Sequence, residues 1–141
     1  MPVLAFDFGH KRIGVAVGEA LTGSASPLPT LTHHAEPDWP ALLRLIAEWR
    51  PTELVVGLPL DEAGGEQAIT TLARRFAEQL AQRSGLKVNL ADERFSSRAA
   101  DDALRDARAS GRMTRRVRKG DRDGEAARVI LEQWLAMHGR P

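Results

Sequence analysis

Apolar and polar positions alternate with two different periods along this chain, and the switches between them outline its elements. Residues 3–8 and 12–18 read as strands, joined by a tight turn around Gly9, His10, Lys11 and Arg12. "SPLPTLTH" (26–33) predicts a third strand, and its prolines confine it to a sheet edge because proline cannot serve a central ladder. Residues 37–50 carry apolar side chains at 39, 42, 43, 46 and 49, which is a helical stripe. "TELVVGLPL" (52–60) predicts a short buried strand ended by Gly57 and Pro59. After the turn-like "DEAGG", residues 66–83 place Ile69, Leu72, Ala73, Phe76 and Leu80 on one helical face. "LKVNLADE" (86–93) predicts another strand, and Ser96 or Ser97 can cap a helix running to about 109. Residues 110–122 have no period and read as a basic loop, before a last helix from about 123 to 137.

The resulting order, β-β-β-α-β-α-β-α-α, has an antiparallel opening followed by β-α-β crossovers. It predicts an α/β fold, a mixed sheet with helices on its faces, formed by residues 1–141 as a single domain. In such sheets functional groups gather where strand ends and helix starts converge.

Composition narrows the function classes. The sequence contains no cysteine, which excludes disulfides, thiolate metal sites and cysteine nucleophiles. No apolar run approaches the roughly 20 residues needed to span a bilayer, and no signal-peptide pattern opens the chain. A cytoplasmic protein with no membrane partner is the expectation. The net charge of +1 hides an asymmetry: residues 1–92 carry eight basic and eleven acidic side chains, residues 93–141 twelve and eight. Within 105–122, eight Lys/Arg face only Asp106 and Asp121. Such a local excess suits a polyanion, although a solvated surface loop would have the same composition.

Asp7 interrupts an apolar, β-prone run, and an isolated carboxylate in a sheet is costly unless it is paired or binds a cation. Alternation puts Leu4, Phe6 and Phe8 on one face and Ala5, Asp7 and Gly9 on the other. Gly14, Ala16 and Gly18 keep one face of the next strand small too, which leaves room for a hydrated cation. Mg²⁺ takes oxygen ligands, keeps several waters, and uses one or two carboxylates plus substrate phosphates. Glu93, at the end of a predicted strand, is a second candidate, with Asp92 its competitor. Asp123 is the third. An Asp before a helix is ordinarily an N-cap, but Asp123, Ala127, Ile130 and Trp134 share the apolar helix face, and Asp121 is better placed to cap. Three acids far apart in sequence could thus meet over one sheet, as two-metal phosphoryl-transfer sites require.

"FDFGHKRIGVAVG", "VVGLPL", "DERFSS" and the D-G-E-A-A-R-V-I-L stretch, in that order, resemble the YqgF family. Its members are small bacterial proteins described as pre-16S rRNA nucleases or as Holliday-junction-resolvase-like. The resemblance runs from residue 3 to about 135. It implies a ribonuclease-H-like fold, a five-stranded mixed sheet flanked by helices, and Mg²⁺- or Mn²⁺-dependent cleavage of a phosphodiester bond. Carried over by motif, the acidic catalytic and metal-binding residues fall on Asp7, Glu93 and Asp123. True junction resolvases carry a fourth carboxylate, whereas residue 126, one turn beyond Asp123, is alanine.

The expected substrate is nucleic acid, foremost precursor rRNA or the pre-ribosome, with DNA an alternative, handled by a monomer or weak dimer. Lys11 and Arg12 lie just past Asp7, where a scissile phosphate would sit, and Arg94 follows Glu93 directly. Arg115, Arg116, Arg118 and Lys119 suit a loop that tracks phosphates, a contact that weakens with salt. His33, His34 and His138 lack metal-ligand spacing and are expected at the surface; Trp39, Trp49 and Trp134 are expected in the core. Two other function classes compete with a nuclease acting on rRNA: a DNA four-way-junction resolvase with the same site, and a non-catalytic nucleic-acid-binding module indifferent to loss of Asp7.

Overall fold

Strand β1 (Pro2–Phe8) lies at the centre of the sheet, and its alternation decides what packs on either side. It pairs antiparallel with β2 (Arg12–Glu19), which pairs antiparallel with β3 (Ala25–Thr32). On its other side it pairs parallel with β4 (Glu53–Leu58), and β4 pairs parallel with β5 (Val88–Asp92). The five strands follow the order β3-β2-β1-β4-β5. The mixed sheet read from the sequence is present, with the proline-bearing β3 at an edge where its missing N–H groups cost nothing. This computed structural model describes residues 1–34, 36–60, 63–92 and 119–138, without the side chains of residues 119–121. Its helices among these residues are α1 (Trp39–Trp49), α2 (Ala68–Ser84) and α3 (Lys119–His138).

The two faces of β1 build two cores. Leu4, Phe6 and Phe8 pack against Leu42 of α1 and Phe76 and Leu80 of α2. Val3 and Ala5, with Ala16 and Val55 from the flanking strands, lie under Ala127, Ile130 and Trp134 of α3. Each large side chain buried in this way contributes about 1.5–3 kcal/mol relative to exposure. Asp7 shares the parity of Val3 and Ala5 and therefore belongs to the α3 face.

Local chemistry sets the helix limits. The Asp38 side chain accepts a hydrogen bond from the Ala41 N–H (3.1 Å), and Pro40 occupies the first turn of α1. That helix ends where Arg50 turns left-handed (φ 48°) and Pro51 prevents continuation. Gly85 (φ 72°) ends α2.

Three expectations need correction. The last helix begins at Lys119, not near residue 123, so Lys119, Asp121 and Asp123 lie inside it rather than in a preceding loop or cap. Its first turn is polar and lacks an apolar stripe, and it is the packing of Asp123 and Gly124 on the sheet that anchors this end. His33 is buried rather than at the surface, and Trp49 is 36% exposed rather than core. Trp39 and Trp134 are in the core as expected. The predicted helix from Ser96 or Ser97 to 109 and the basic stretch up to residue 118 lie outside the described residues. Among the described residues, no helix is long and apolar enough to cross a membrane.

Candidate active site

Asp7 sits at the carboxyl end of β1 in a row of very small residues. Its antiparallel partner is Gly14. On the other side the β1–β4 register pairs Phe6 with Val56, and one further step sets Asp7 level with Gly57, which pairs in turn with Ala91 of β5. Across four strands the row therefore reads Gly14, Asp7, Gly57, Ala91, with Asp7 its one large side chain. The β2–β3 register shifts between Ile13 and Val15, beside Gly14. Such irregularities bend a strand locally and are common next to functional groups.

Part of the room left by these small residues is occupied. A Cβ placed on Gly14 would lie 2.1 Å from the Asp123 carbonyl oxygen and 3.1 Å from the Asp123 Cβ. The start of α3 thus rests directly on the strand backbone, an approach that only glycine permits. The small stripe Gly14, Ala16, Gly18 is accordingly a seat for α3 along most of its length, a correction to its reading as open space for a cation. The same contact brings Asp123 to Asp7. Cross-strand Cβ atoms lie roughly 4.5–5.5 Å apart, so the Cβ atoms of Asp7 and Asp123 are within about 8 Å of each other.

Arg12, the first residue of β2, donates through Nε to Asp123 Oδ2 at 2.6 Å. The two side chains are 35% and 23% exposed, so the pair contributes under about 1 kcal/mol to stability, but it orients both groups. The turn before Arg12 is held three times. Gly9 N–H donates to the Arg12 carbonyl (2.9 Å), His33 N–H donates to the Lys11 carbonyl (2.9 Å), and His33 Nε2 donates to the Gly9 carbonyl (2.8 Å). The His33 ring also packs on Phe8, with centroids 5.5 Å apart.

The structure therefore gathers Asp7, Asp123 and Arg12, and leaves Lys11 exposed in the adjoining turn. Glu93, Arg94, Arg115, Arg116 and Arg118 lie outside the described residues, as does the side chain of Lys119. Two features escaped the sequence reading. His33 as a strut was hinted at by its alternation with Leu31, and Gly57 was read only as a strand terminator. Asp7 and Asp123 supply hard oxygen donors on one face, the donor type that Mg²⁺ or Mn²⁺ takes. Among the described residues no three His, Asp or Glu side chains come close enough to enclose an ion. Two carboxylates nevertheless fit a cation that keeps several waters.

Comparison with known proteins gives a consistent picture. The family model RuvX, described as "Holliday junction resolvase", matches residues 1–137. A protein of Escherichia coli O7:K1 (strain IAI39) named "Putative pre-16S rRNA nuclease" is 44% identical over 134 residues, covering 94% of each chain. A relative of the same name from Shigella boydii serotype 18 matches to the same extent. Among solved structures, Thermus thermophilus RuvC in complex with a Holliday junction substrate superposes with a TM-score of 0.59 at 17% identity, covering 99% of this chain and 97% of that one. The Fowlpox virus resolvase in complex with Holliday junction DNA gives 0.59 at 12% identity, with 97% and 98% covered. At those identities the likeness establishes the resolvase-type, ribonuclease-H-like fold.

Proposed function

We propose, on the premise that this chain belongs to the RuvX family of nucleases, that it is a divalent-cation-dependent endonuclease that matures the 5′ end of precursor 16S ribosomal RNA. The observation that carries the site assignment is the seating of Asp123 on Gly14, the cross-strand partner of Asp7. It joins two acids 116 positions apart at the carboxyl end of the central strand. Glu93 is the third acid of this reading. It follows Asp92, the last residue of β5, in the sequence, and itself lies outside the described residues.

In this reading Asp7, Asp123 and Glu93 would hold Mg²⁺ or Mn²⁺. Such a cation, when bound, supplies charge stabilisation at the phosphorus and a water of lowered pKa. The chain's own residues do the rest. Asp7 stands on a strand paired along all seven of its residues, which fixes its backbone at the carboxyl end of β1. Arg12 orients Asp123 through its Nε hydrogen bond, and in this reading it would also hold a non-bridging phosphate oxygen. Lys11, Arg94, Arg115, Arg116, Arg118 and Lys119 are the proposed backbone-contacting cations. Position 126, one turn beyond Asp123, is a buried alanine packed into the fold, so it adds no further acid. That favours ribosomal RNA over a DNA four-way junction as substrate.

The test is cleavage of a labelled precursor-rRNA fragment and of a DNA four-way junction with Mg²⁺, Mn²⁺ or chelator, comparing wild type with Asp7→Asn. The expected result is cation-dependent cutting of the RNA that falls at least about 100-fold in the variant, while RNA binding is retained. Cutting of the junction alone would replace the rRNA reading with the resolvase one. Equal cutting by wild type and Asp7→Asn would overturn the site.

A further inference from the structure

Beside the carboxylates, at the open end of the β2–β3 pair, lies a cleft of about 500 Å³ lined by His10, Lys11, Arg12, Thr32, His33 and His34. We propose that this cleft binds a non-scissile phosphodiester of the substrate strand, next to the one cut at Asp7 and Asp123. The inference rests on the nuclease reading and adds a second phosphate site to it.

The lining carries the argument. Lys11 and Arg12 are positive charges, His10 and His34 are exposed imidazoles, Thr32 offers a hydroxyl, and no carboxylate lines the cleft among the described residues. The neighbouring acid, Asp123, already has its Oδ2 on Arg12. A ligand entering here meets donors and positive charge, which matches a group with several anionic oxygens. A metal ion is a poor match, because His33 spends Nε2 on the Gly9 carbonyl and no three-ligand cluster exists among the described residues.

The cleft is also built in advance. The three hydrogen bonds that hold residues 9–12 come from the strand backbone and from His33, which is 8% exposed and stacked on Phe8. His33 is thus a positioning residue: it fixes the turn that presents His10 and Lys11. Its Nδ1 is buried without a partner among the described residues. A turn backbone held beforehand loses little freedom on binding, so it presents these side chains at less cost than a segment that must first be ordered. Arg12 belongs both to the cleft and to the carboxylate pair. It therefore sets the spacing between the two phosphates, and one continuous strand is the ligand that satisfies both sites.

The experiment measures binding of labelled single-stranded RNA and of the precursor fragment in the Asp7→Asn background, where cutting is suppressed, as a function of salt. Lys11→Ala is expected to weaken binding about tenfold, the size of a lost charge-assisted contact. It should also reduce the slope of log K against log salt by about 0.7. The double variant His10→Ala/His34→Ala, both exposed and remote from the core, is expected to weaken binding severalfold with the slope little changed at pH 8. Lys87→Ala, at the opposite end of the sheet, should change neither. Loss with Lys11→Ala but none with the histidine pair would overturn the cleft, leaving only general surface attraction. A histidine effect confined to RNA bearing a 5′-terminal phosphate would overturn the phosphodiester assignment in favour of an end-phosphate pocket. If the cleft variants bind like the parent while cation-dependent cutting still depends on Asp7, the cleft is refuted and the nuclease stands. If the protein neither binds nor cuts nucleic acid, both readings fall.

Discussion

Adding one methyl group at residue 14 tests the geometry on which the site depends. In Gly14→Ala the new Cβ would stand 2.1 Å from the Asp123 carbonyl oxygen and 2.6 Å from its carbonyl carbon. Neither atom belongs to a side chain that can rotate away, so the start of α3 must retreat by about 1 Å before the contact is tolerable. Alanine in a strand would otherwise gain about 0.5–1 kcal/mol over glycine. Overpacking typically costs about 1–3 kcal/mol, and a net loss of about 1–2 kcal/mol is expected, or roughly 3–6 °C in Tm for a chain of this length. Activity should suffer more. A displacement of about 1 Å in a catalytic group costs on the order of 100-fold in rate, and Asp123 is the residue displaced. Gly18→Ala is the control. Its Cβ would meet Leu131 Cδ2 and the Ser24 carbonyl at 2.9 Å and Leu135 Cδ1 at 3.0 Å, so it also strains the α3 seat. Two of those three atoms are ends of side chains that can yield, and none carries a catalytic group. Gly18→Ala should therefore lower Tm by a similar amount while the folded protein cuts RNA at nearly the wild-type rate. Initial cleavage rates with Mg²⁺, measured well below both transitions, compare the pair directly. If Gly14→Ala cuts within about threefold of wild type, Asp123 is not held against β2 as described, and the pairing of Asp7 with Asp123 fails.

Other consequences concern the opposite face and the turn. Phe76 is 2% exposed and its ring meets those of Phe6, Phe8 and Trp39, so Phe76→Ala should cost about 3–5 kcal/mol in urea titrations. Because it lies on the face away from Asp7, cleavage per folded molecule should hold; a large loss of rate at full folding would show that the two faces are coupled. His33→Ala removes the donor to the Gly9 carbonyl and the ring on Phe8. It should destabilise by about 1–3 kcal/mol and speed amide exchange at Gly9, whose N–H closes the turn onto Arg12. Unchanged exchange at Gly9 would refute the strut.

How legible this molecule was in its sequence depends on the range of the interaction concerned. The alternation of Leu4, Phe6 and Phe8 against Val3, Ala5 and Asp7 is set by a backbone period that no tertiary contact changes, and the faces it assigns are those observed. The prolines of β3 exclude a central position by removing donors, again a local fact, and β3 is an edge strand. The boundary of α3 was missed because its first turn has no apolar stripe. The first contacts with β2 and β3 come just after it, at Asp123 and Gly124.

The site divides along the same line. That Asp7 shares the α3 face could be read from residues 3–8, and that Asp123 shares a helix face with Ala127 and Ile130 could be read from residues 123–134. Their meeting could not. Gly14 looks the same in a sequence whether its missing side chain makes space for an ion or for a helix, and here it makes space for a helix that delivers an acid. That Arg12 stands near Asp7 could be read from its position in the turn, but its pairing with Asp123, 111 positions away, could not. His33, lacking metal-ligand spacing to the other histidines, is expected at the surface; the Gly9 carbonyl and the Phe8 ring are what it meets inside. Each miss involves a residue whose environment comes from a distant segment. Gly14 and Arg12 lie in β2 beside Asp7, and His33 reaches the same turn through the Gly9 carbonyl. The region around Asp7 is therefore where tertiary contacts most strongly override local preference, as expected of a fold that gives up local consistency to assemble a site.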